Sequence, residues 1–216
     1  MIFTSRLYAI VDTAVATRAG WDPAALARVY IDAGVRLLQL RAPGVDGNTG
    51  LGWCRQIMSC AAPLGARVIV NDRCDLAMLA GADGVHLGQG DLPVSEARRL
   101  LGEAAVIGVS THDDAQVREA LRQPASYLAT GPVFDTRTKN TGYAAGGVDG
   151  VRRAVSAAGD RPVVAIGGIT LATAPAVLDA GAAAVAVIAD LLATDDPSAR
   201  VREFLDVLGE TSVGAA

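Results

Sequence analysis

Short apolar runs of strand length alternate with helix-patterned segments along the whole chain. This alternation restricts the fold more than any single motif. The runs fall at residues 7–11, 35–40, 67–70, 84–87, 106–109, 127–130, 163–166 and 184–188. Asp22-Pro23 reads as an N-cap with proline at the first helical position, and that helix is expected to run to about Ala33, where Gly34 stops it. Further helices are predicted at 51–61, 74–80, 94–101, 114–121, 148–157, 172–180 and 197–208. The strand runs are continuously apolar, as strands are when both faces are buried. Eight strands alternating with eight helices is the count of a closed parallel (β/α)8 barrel, the TIM barrel of the α/β class. The rival is an open doubly wound sheet, which is disfavoured because no Gly-x-Gly-x-x-Gly follows the first run. No linker, low-complexity tract or charge block divides the chain, so one domain over 1–216 is expected.

Composition narrows the function classes. Apolar residues make up 51% of the 216 residues and aromatics only 4%. The core should therefore be aliphatic, without the aromatic platforms on which nucleic-acid bases stack. A formal net charge of −4 argues against non-specific nucleic-acid binding. It leaves an anionic small molecule open, because backbone N–H groups can hold phosphate on an acidic protein. Cys54, Cys60 and Cys74 form no CxxC and are odd in number, which points away from a disulfide framework or a zinc site and towards a reducing cytoplasm. Residues 1–6 lack a signal-peptide pattern. The most apolar late stretch, 181–189, is too short to span a bilayer and runs into Asp190.

Barrel enzymes place their chemistry just past the C-terminal ends of the strands, and here those ends are polar. Run two ends in Gln39-Leu40-Arg41, run three in Asn71-Asp72-Arg73, and run four leads through His86 to Gln89 and Asp91. Run five ends in Ser110-Thr111-His112, run six opens a loop of about sixteen residues holding Thr136-x-Thr138-Lys139, and run seven ends in Gly167-Gly168. Asp72 and Asp91 end adjacent runs, and hard oxygen ligands so placed suit Mg²⁺. Either aspartate alone reads equally well as the N-cap of the next helix. Hydroxyls and an ammonium at Thr136, Thr138 and Lys139 form a natural diphosphate clamp. Gly167-Gly168 before a helix matches the usual barrel phosphate site, although a plain tight turn would also use glycine. His86 reads as a buried structural histidine or a catalytic one, and His112 as a cap of the next helix. Cys74 reads as core, and the Arg98-Arg99 and Arg152-Arg153 pairs as solvated helix faces.

Four stretches resemble thiamine phosphate synthases in order and spacing: VNDRCDLAMLAGADGVHLGQGDL, IGVSTH, YLATGPVFDTRTK and AIGGIT. The resemblance covers about residues 7–208. It implies a (β/α)8 transferase that joins hydroxymethylpyrimidine diphosphate to a thiazole phosphate, releasing diphosphate and forming thiamine phosphate. By position it implies Mg²⁺ on Asp72 and Asp91, and diphosphate on Arg41, Asn71, Ser110 and Lys139. Thr136 and Thr138 would face the thiazole phosphate or its neighbour. Gly168, Ile188 and Ala189 would take that phosphate, and Gln39 would lie near the pyrimidine. Lys139 and Ser110 are the catalytic candidates. The partners implied are these small molecules, with no nucleic acid and no membrane; association into a homo-oligomer is left open.

The sequence departs from the family pattern at Pro43, where a diphosphate-binding lysine is usual, and at Ala189, where serine is usual. Asp135 replaces a frequent proline. A lost diphosphate cation would cost ~1.5–3 kcal/mol if nothing replaced it, and Arg137 and Arg73 are the candidates to do so. Two alternatives stand beside the synthase. One is a thiazole tautomerase, although Pro132 occupies the place of its histidine. The other is a barrel that binds a thiamine precursor without turnover.

Overall fold

Each strand of the barrel is built on a two-residue alternation that the apolar runs conceal. On β1 (Leu7–Asp12), Leu7, Ala9 and Val11 face outward to the helices, whereas Tyr8 and Ile10 join the cluster inside the barrel. Leu37, Ile69, Val106, Tyr127, Val164, Ala184 and Ala186 fill the same interior from the other strands. Both faces are dry, so both are apolar and a polar/apolar rhythm is absent.

The computed structural model describes residues 5–136, 138 and 142–210. After β1 come β2 (Leu37–Arg41), β3 (Arg67–Asn71), β4 (Gly84–Leu87), β5 (Val106–Thr111), β6 (Tyr127–Thr130), β7 (Val163–Ile166) and β8 (Ala184–Val187). Each pairs in parallel with the next, and β8 pairs with β1 through Leu7↔Val185, Tyr8↔Ala186 and Ala9↔Val187. That last pairing closes the barrel and excludes the open sheet.

The helices among the described residues are α1 (Thr13–Arg18), α2 (Pro23–Asp32), α3 (Gly47–Ala61), α4 (Cys74–Ala80), α5 (Val94–Leu101), α6 (Asp114–Leu121), α7 (Gly147–Ala158), α8 (Ala174–Asp179) and α9 (Pro197–Val207). Short 3₁₀ turns lie at Ala62–Leu64 and Ala189–Leu192. Asp22 caps α2 as expected, accepting from the Ala25 N–H. Helix α1 was not foreseen: its six residues are too few to show a period, and the Asp12 side chain starts it by accepting from the Val15 N–H. Helix α3 begins earlier than predicted, at weak helix formers. Asp46 accepts from Asn48 N–H and Thr49 N–H and carries that first turn. Strand β2 begins later than expected, at Leu37, because the Val35 N–H is still bonded to the Tyr30 carbonyl at the end of α2.

One reading of the surface is corrected. Arg98 is not a solvated helix residue. Its guanidinium donates to the carbonyls of Gly102, Glu103, Ala105 and Pro124 and to Ser126 Oγ. It ties the end of α5 to the segments leading into β5 and β6. Arg99, Arg152 and Arg153 stay exposed, as expected. Among the described residues no helix is long and apolar enough to cross a membrane.

Candidate active site

At the C-terminal mouth of the barrel the inward alternation runs out of apolar residues and a cavity of about 470 Å³ opens. Its walls include Gln39, Arg41, Asn71, Ser110, Thr136, Thr138, Gly168, Ile188 and Ala189, all nominated from sequence. Tyr8, Ile10, Val164, Ile166 and Ala186 form apolar wall, and Pro132, His112 and Asp190 also line it. Lys139 and Arg137 lie outside the described residues.

The polar side chains are held by specific partners. The Arg41 guanidinium is ion-paired with the buried carboxylate of Asp12, at the paired ends of β2 and β1. Asp12 was not singled out from sequence, but its parity with Tyr8 and Ile10 places it on the inward face. Ser110 is fixed twice: Gln89 Nε2 donates to its carbonyl at 2.6 Å, and its Oγ lies 2.9 Å from His86 Nε2. His86 is buried and bonded at both ring nitrogens, the other contact being the Tyr127 hydroxyl at 2.9 Å. His112 does not cap α6; Asp113 does. His112 instead stacks on Tyr143 at 4.5 Å, and Gln116 binds both rings, accepting from His112 and donating to the Tyr143 hydroxyl. This fastens Tyr143 to the end of β5.

The glycine turn after β7 is more than a plain turn. Gly167 and Gly168 have φ of +101° and +65°, and a Cβ on Gly168 would lie 2.5 Å from the Asp135 carbonyl oxygen. Only glycine lets the β7 loop press against the β6 loop. Past β8, the Asp190 carboxylate accepts from Arg200 Nη2 at 2.6 Å and from Leu171 N–H at 3.0 Å. That pair joins the Ala189–Leu192 turn to α9 and to the loop after β7.

Asp72 and Asp91 are not among the cavity-lining residues, and neither caps a helix: the N-cap residues of α4 and α5 are Arg73 and Pro93. Asp72 has φ of +63°, the only positive value at a non-glycine among the described residues, and its N–H extends the β3–β4 ladder to the His86 carbonyl. Asp91 folds back so that Oδ2 accepts from Gly88 N–H at 2.7 Å. Burial pushes the Cys74 thiol up, Asp75 adds to this, and the fields of Asp91 and Asp72 both reach it as well. Asp72 thus follows β3 and Asp91 follows β4, at the ends of two strands that pair. Among the described residues no group of three His, Cys, Asp or Glu side chains could hold a metal alone. Two carboxylates with the rest of the shell from water and phosphate is a donor set that suits Mg²⁺. A raised thiol is a poor nucleophile, in keeping with Cys74 as core.

The suggested substitutes for the missing lysine fare differently. Arg73 does not stand free: Nε and Nη2 bind Asp75 at 2.8 and 2.5 Å, and the guanidinium holds that carboxyl below its usual range. Arg41 is the only lysine or arginine lining the cavity among the described residues.

Comparisons with known proteins bear on the chain as a whole. The family described as thiamine monophosphate synthase matches residues 7–191. A thiamine-phosphate synthase of Synechococcus sp. (strain WH7803) is 47% identical over 178 residues, which is 82% of this chain and half of that protein's length. One from Mycobacterium sp. (strain KMS) is 43% identical over 202 residues, covering 89% of each chain. The solved thiamine phosphate pyrophosphorylase from Pyrococcus furiosus superposes with a TM-score of 0.85 at 28% identity, over 97% of each chain. A closed barrel, with its polar strand ends gathered at one mouth and motifs shared along nearly its whole length, places this chain in the thiamine monophosphate synthase family.

Proposed function

We propose that this barrel is a transferase that joins hydroxymethylpyrimidine diphosphate to a thiazole phosphate, giving thiamine phosphate and diphosphate, with Mg²⁺ held by Asp72 and Asp91. The observation that carries this reading is the single cavity that gathers Gln39, Asn71, Ser110, Thr136, Thr138 and Gly168 from separate strand ends. Family membership supplies the reaction class.

In this reading the C–O bond between the pyrimidine methylene and the diphosphate breaks, and the thiazole nitrogen forms the new bond to that carbon. Bound Mg²⁺ would supply charge neutralisation on the departing diphosphate. Arg41, Asn71, Ser110 and Lys139 bind the diphosphate oxygens. Asp12 holds Arg41 in place. Gln39 meets the pyrimidine edge, whose amino group feeds electrons to the cation-like methylene. The backbone at Gly168, Ile188 and Ala189 takes the thiazole phosphate, and Thr136 and Thr138 contact it or its neighbour. Ile10, Val164 and Ile166 exclude water from a carbon that would otherwise be hydrolysed. Little proton transfer is required, so positioning and electrostatics carry the rate. The tautomerase alternative would need a proton-transfer group where the Pro132 ring stands in the wall.

The test is product formation by purified protein given both substrates, with and without Mg²⁺. Thiamine phosphate and diphosphate should appear in equal amounts, and a chelator should abolish both. Folded protein that binds thiazole phosphate but yields no product would overturn the reading.

A further inference from the structure

Along the floor of the cavity an unbroken hydrogen-bonded chain joins two of its walls. Gln39 Nε2 donates to the Tyr8 hydroxyl at 2.8 Å, and the Tyr8 and Tyr127 hydroxyls lie 3.0 Å apart. The Tyr127 hydroxyl lies 2.9 Å from His86 Nδ1, and His86 Nε2 lies 2.9 Å from Ser110 Oγ. Gln39, Tyr8, Tyr127 and His86 are all buried. Gln39, Tyr8, His86 and Ser110 all line the cavity, whereas Tyr127 does not. Ring contacts hold the chain in shape: His86 stacks on Tyr127 at 5.6 Å, and Tyr8 meets Tyr127 edge-on at 6.2 Å. Room for it is kept on β5, where a Cβ on Gly108 would come within 2.1 Å of the Tyr127 ring.

Proton accounting gives the chain a direction. A phenol has one hydrogen to give, and a neutral imidazole has one donor and one acceptor nitrogen. Gln39 donates to Tyr8, so the Tyr8 hydrogen goes to Tyr127 and the Tyr127 hydrogen to His86 Nδ1. The imidazole then carries its proton on Nε2 and donates to Ser110 Oγ. The Ser110 hydrogen is left to point into the cavity. If the Gln39 amide turns end for end, its carbonyl accepts from Tyr8 and every bond reverses. Ser110 then gives its hydrogen to His86 and shows the cavity only lone pairs. A mixed arrangement strands a donor in the interior, which is the costly case.

We infer that Tyr8, Tyr127 and His86 are positioning residues, forming a relay that ties the donor sense of Ser110 to the amide orientation of Gln39. This rests on the reading of Gln39 as a pyrimidine contact and Ser110 as a diphosphate contact. In the observed sense the Gln39 carbonyl is left for an amino group and the Ser110 hydroxyl for an anionic oxygen. Those are the groups that an aminopyrimidine diphosphate carries at its two ends. Binding at one end therefore prepares the other, and a pyrimidine edge offering only acceptors at Gln39 would set Ser110 in the wrong sense.

Two measurements test the relay. The first needs no substrate: ¹⁵N spectra of labelled histidine, with His86 assigned by the loss of the other signal in His112→Gln. His86 should carry its proton on Nε2, and Gln39→Glu, whose carboxylate can only accept from the Tyr8 hydroxyl, should reverse the chain and move that proton to Nδ1. The second is a double-mutant cycle on kcat/KM. In the natural background the losses from Gln39→Ala and Ser110→Ala should multiply to more than the loss of the double variant. In the Tyr127→Phe background, itself lowered about tenfold by the missing bond, they should multiply independently. Tyr8→Phe cuts the same chain at another link and serves if Tyr127→Phe does not fold. A His86 tautomer indifferent to Gln39→Glu, or independent losses in both backgrounds, would overturn the relay. If no thiamine phosphate forms at all, the spectra still decide the relay, so the two readings fail separately.

Discussion

Gly168 shows how one residue can serve both fold and site. Its φ of +65° is costly for any residue with a Cβ, by about 1–2 kcal/mol. A methyl there would also meet the Asp135 carbonyl oxygen at 2.5 Å and Phe134 at 2.8 Å. Gly168→Ala should therefore move the β7 loop away from the β6 loop and, on the proposed reading, take the backbone N–H off the thiazole phosphate. The expected result is a rise of about tenfold or more in Kd for thiazole phosphate, the worth of one charge-assisted bond, with an unchanged circular dichroism spectrum. Calorimetric titration reads the Kd; an unaltered value would remove Gly168 from the phosphate site. The Arg41–Asp12 pair makes a related point. An arginine is readable in any sequence, but whether its charge is free or already matched depends on a neighbour 29 positions away.

Among the elements, α2 holds the clearest local conflict. Tyr30 is fully buried, and its hydroxyl is the only buried side-chain oxygen or nitrogen without a hydrogen-bond partner among the described residues. Burial also pushes its phenol far above the usual range. An unsatisfied buried hydroxyl costs about 1–3 kcal/mol, so Tyr30→Phe should stabilise the protein by about 1 kcal/mol. For a chain of this size that is a rise in Tm of roughly 2–4 °C. Thermal melting checks it, and a lower Tm would mean that the hydroxyl binds an ordered water. The contrast with Tyr8 and Tyr127 is instructive. Those phenols are equally buried but bonded to each other and to Gln39 and His86. Three tyrosines look alike in sequence; only their neighbours separate a cost from a relay.

At the scale of the whole molecule, closure depends on the β8–β1 seam. The Val185 N–H donates to the Arg6 carbonyl just outside the strand, and Glu210 lies beyond the end of α9. The Glu210 carboxylate accepts from the backbone N–H groups of Arg6 and Leu7 and from Ser5 Oγ. The last described residue thus pins the first described strand. Glu210→Ala should strip those donors of their partner and cost about 1–3 kcal/mol. Urea unfolding should show a lower midpoint at unchanged slope, with substrate affinity unaffected because the mouth lies at the other end of the strands. A fall in affinity matching the fall in stability would show that the seam and the site are coupled.

Local chemistry is what the sequence by itself determined. Eight apolar runs, the Asp22-Pro23 cap and the glycine punctuation gave the barrel, because periodicity and backbone preference act within a few residues. Polar strand ends gave Gln39, Arg41, Asn71, Ser110, Thr136 and Thr138, the glycine turn gave Gly168, and the family resemblance added Ile188 and Ala189; all of these meet in one cavity, whereas Asp72 and Asp91 do not line it. Tertiary structure alone decided which charges are matched, which hydroxyls are satisfied and which way a hydrogen bond runs. Asp12 on Arg41, Asp75 on Arg73, Arg98 on its carbonyls and Tyr127 on His86 are examples. The physical reason is that hydrogen bonds and ion pairs depend on distances of about 3 Å. Apart from Asp75 on Arg73, these contacts are set by strand register, barrel closure or the end of a helix, and residue spacing along the chain does not encode them.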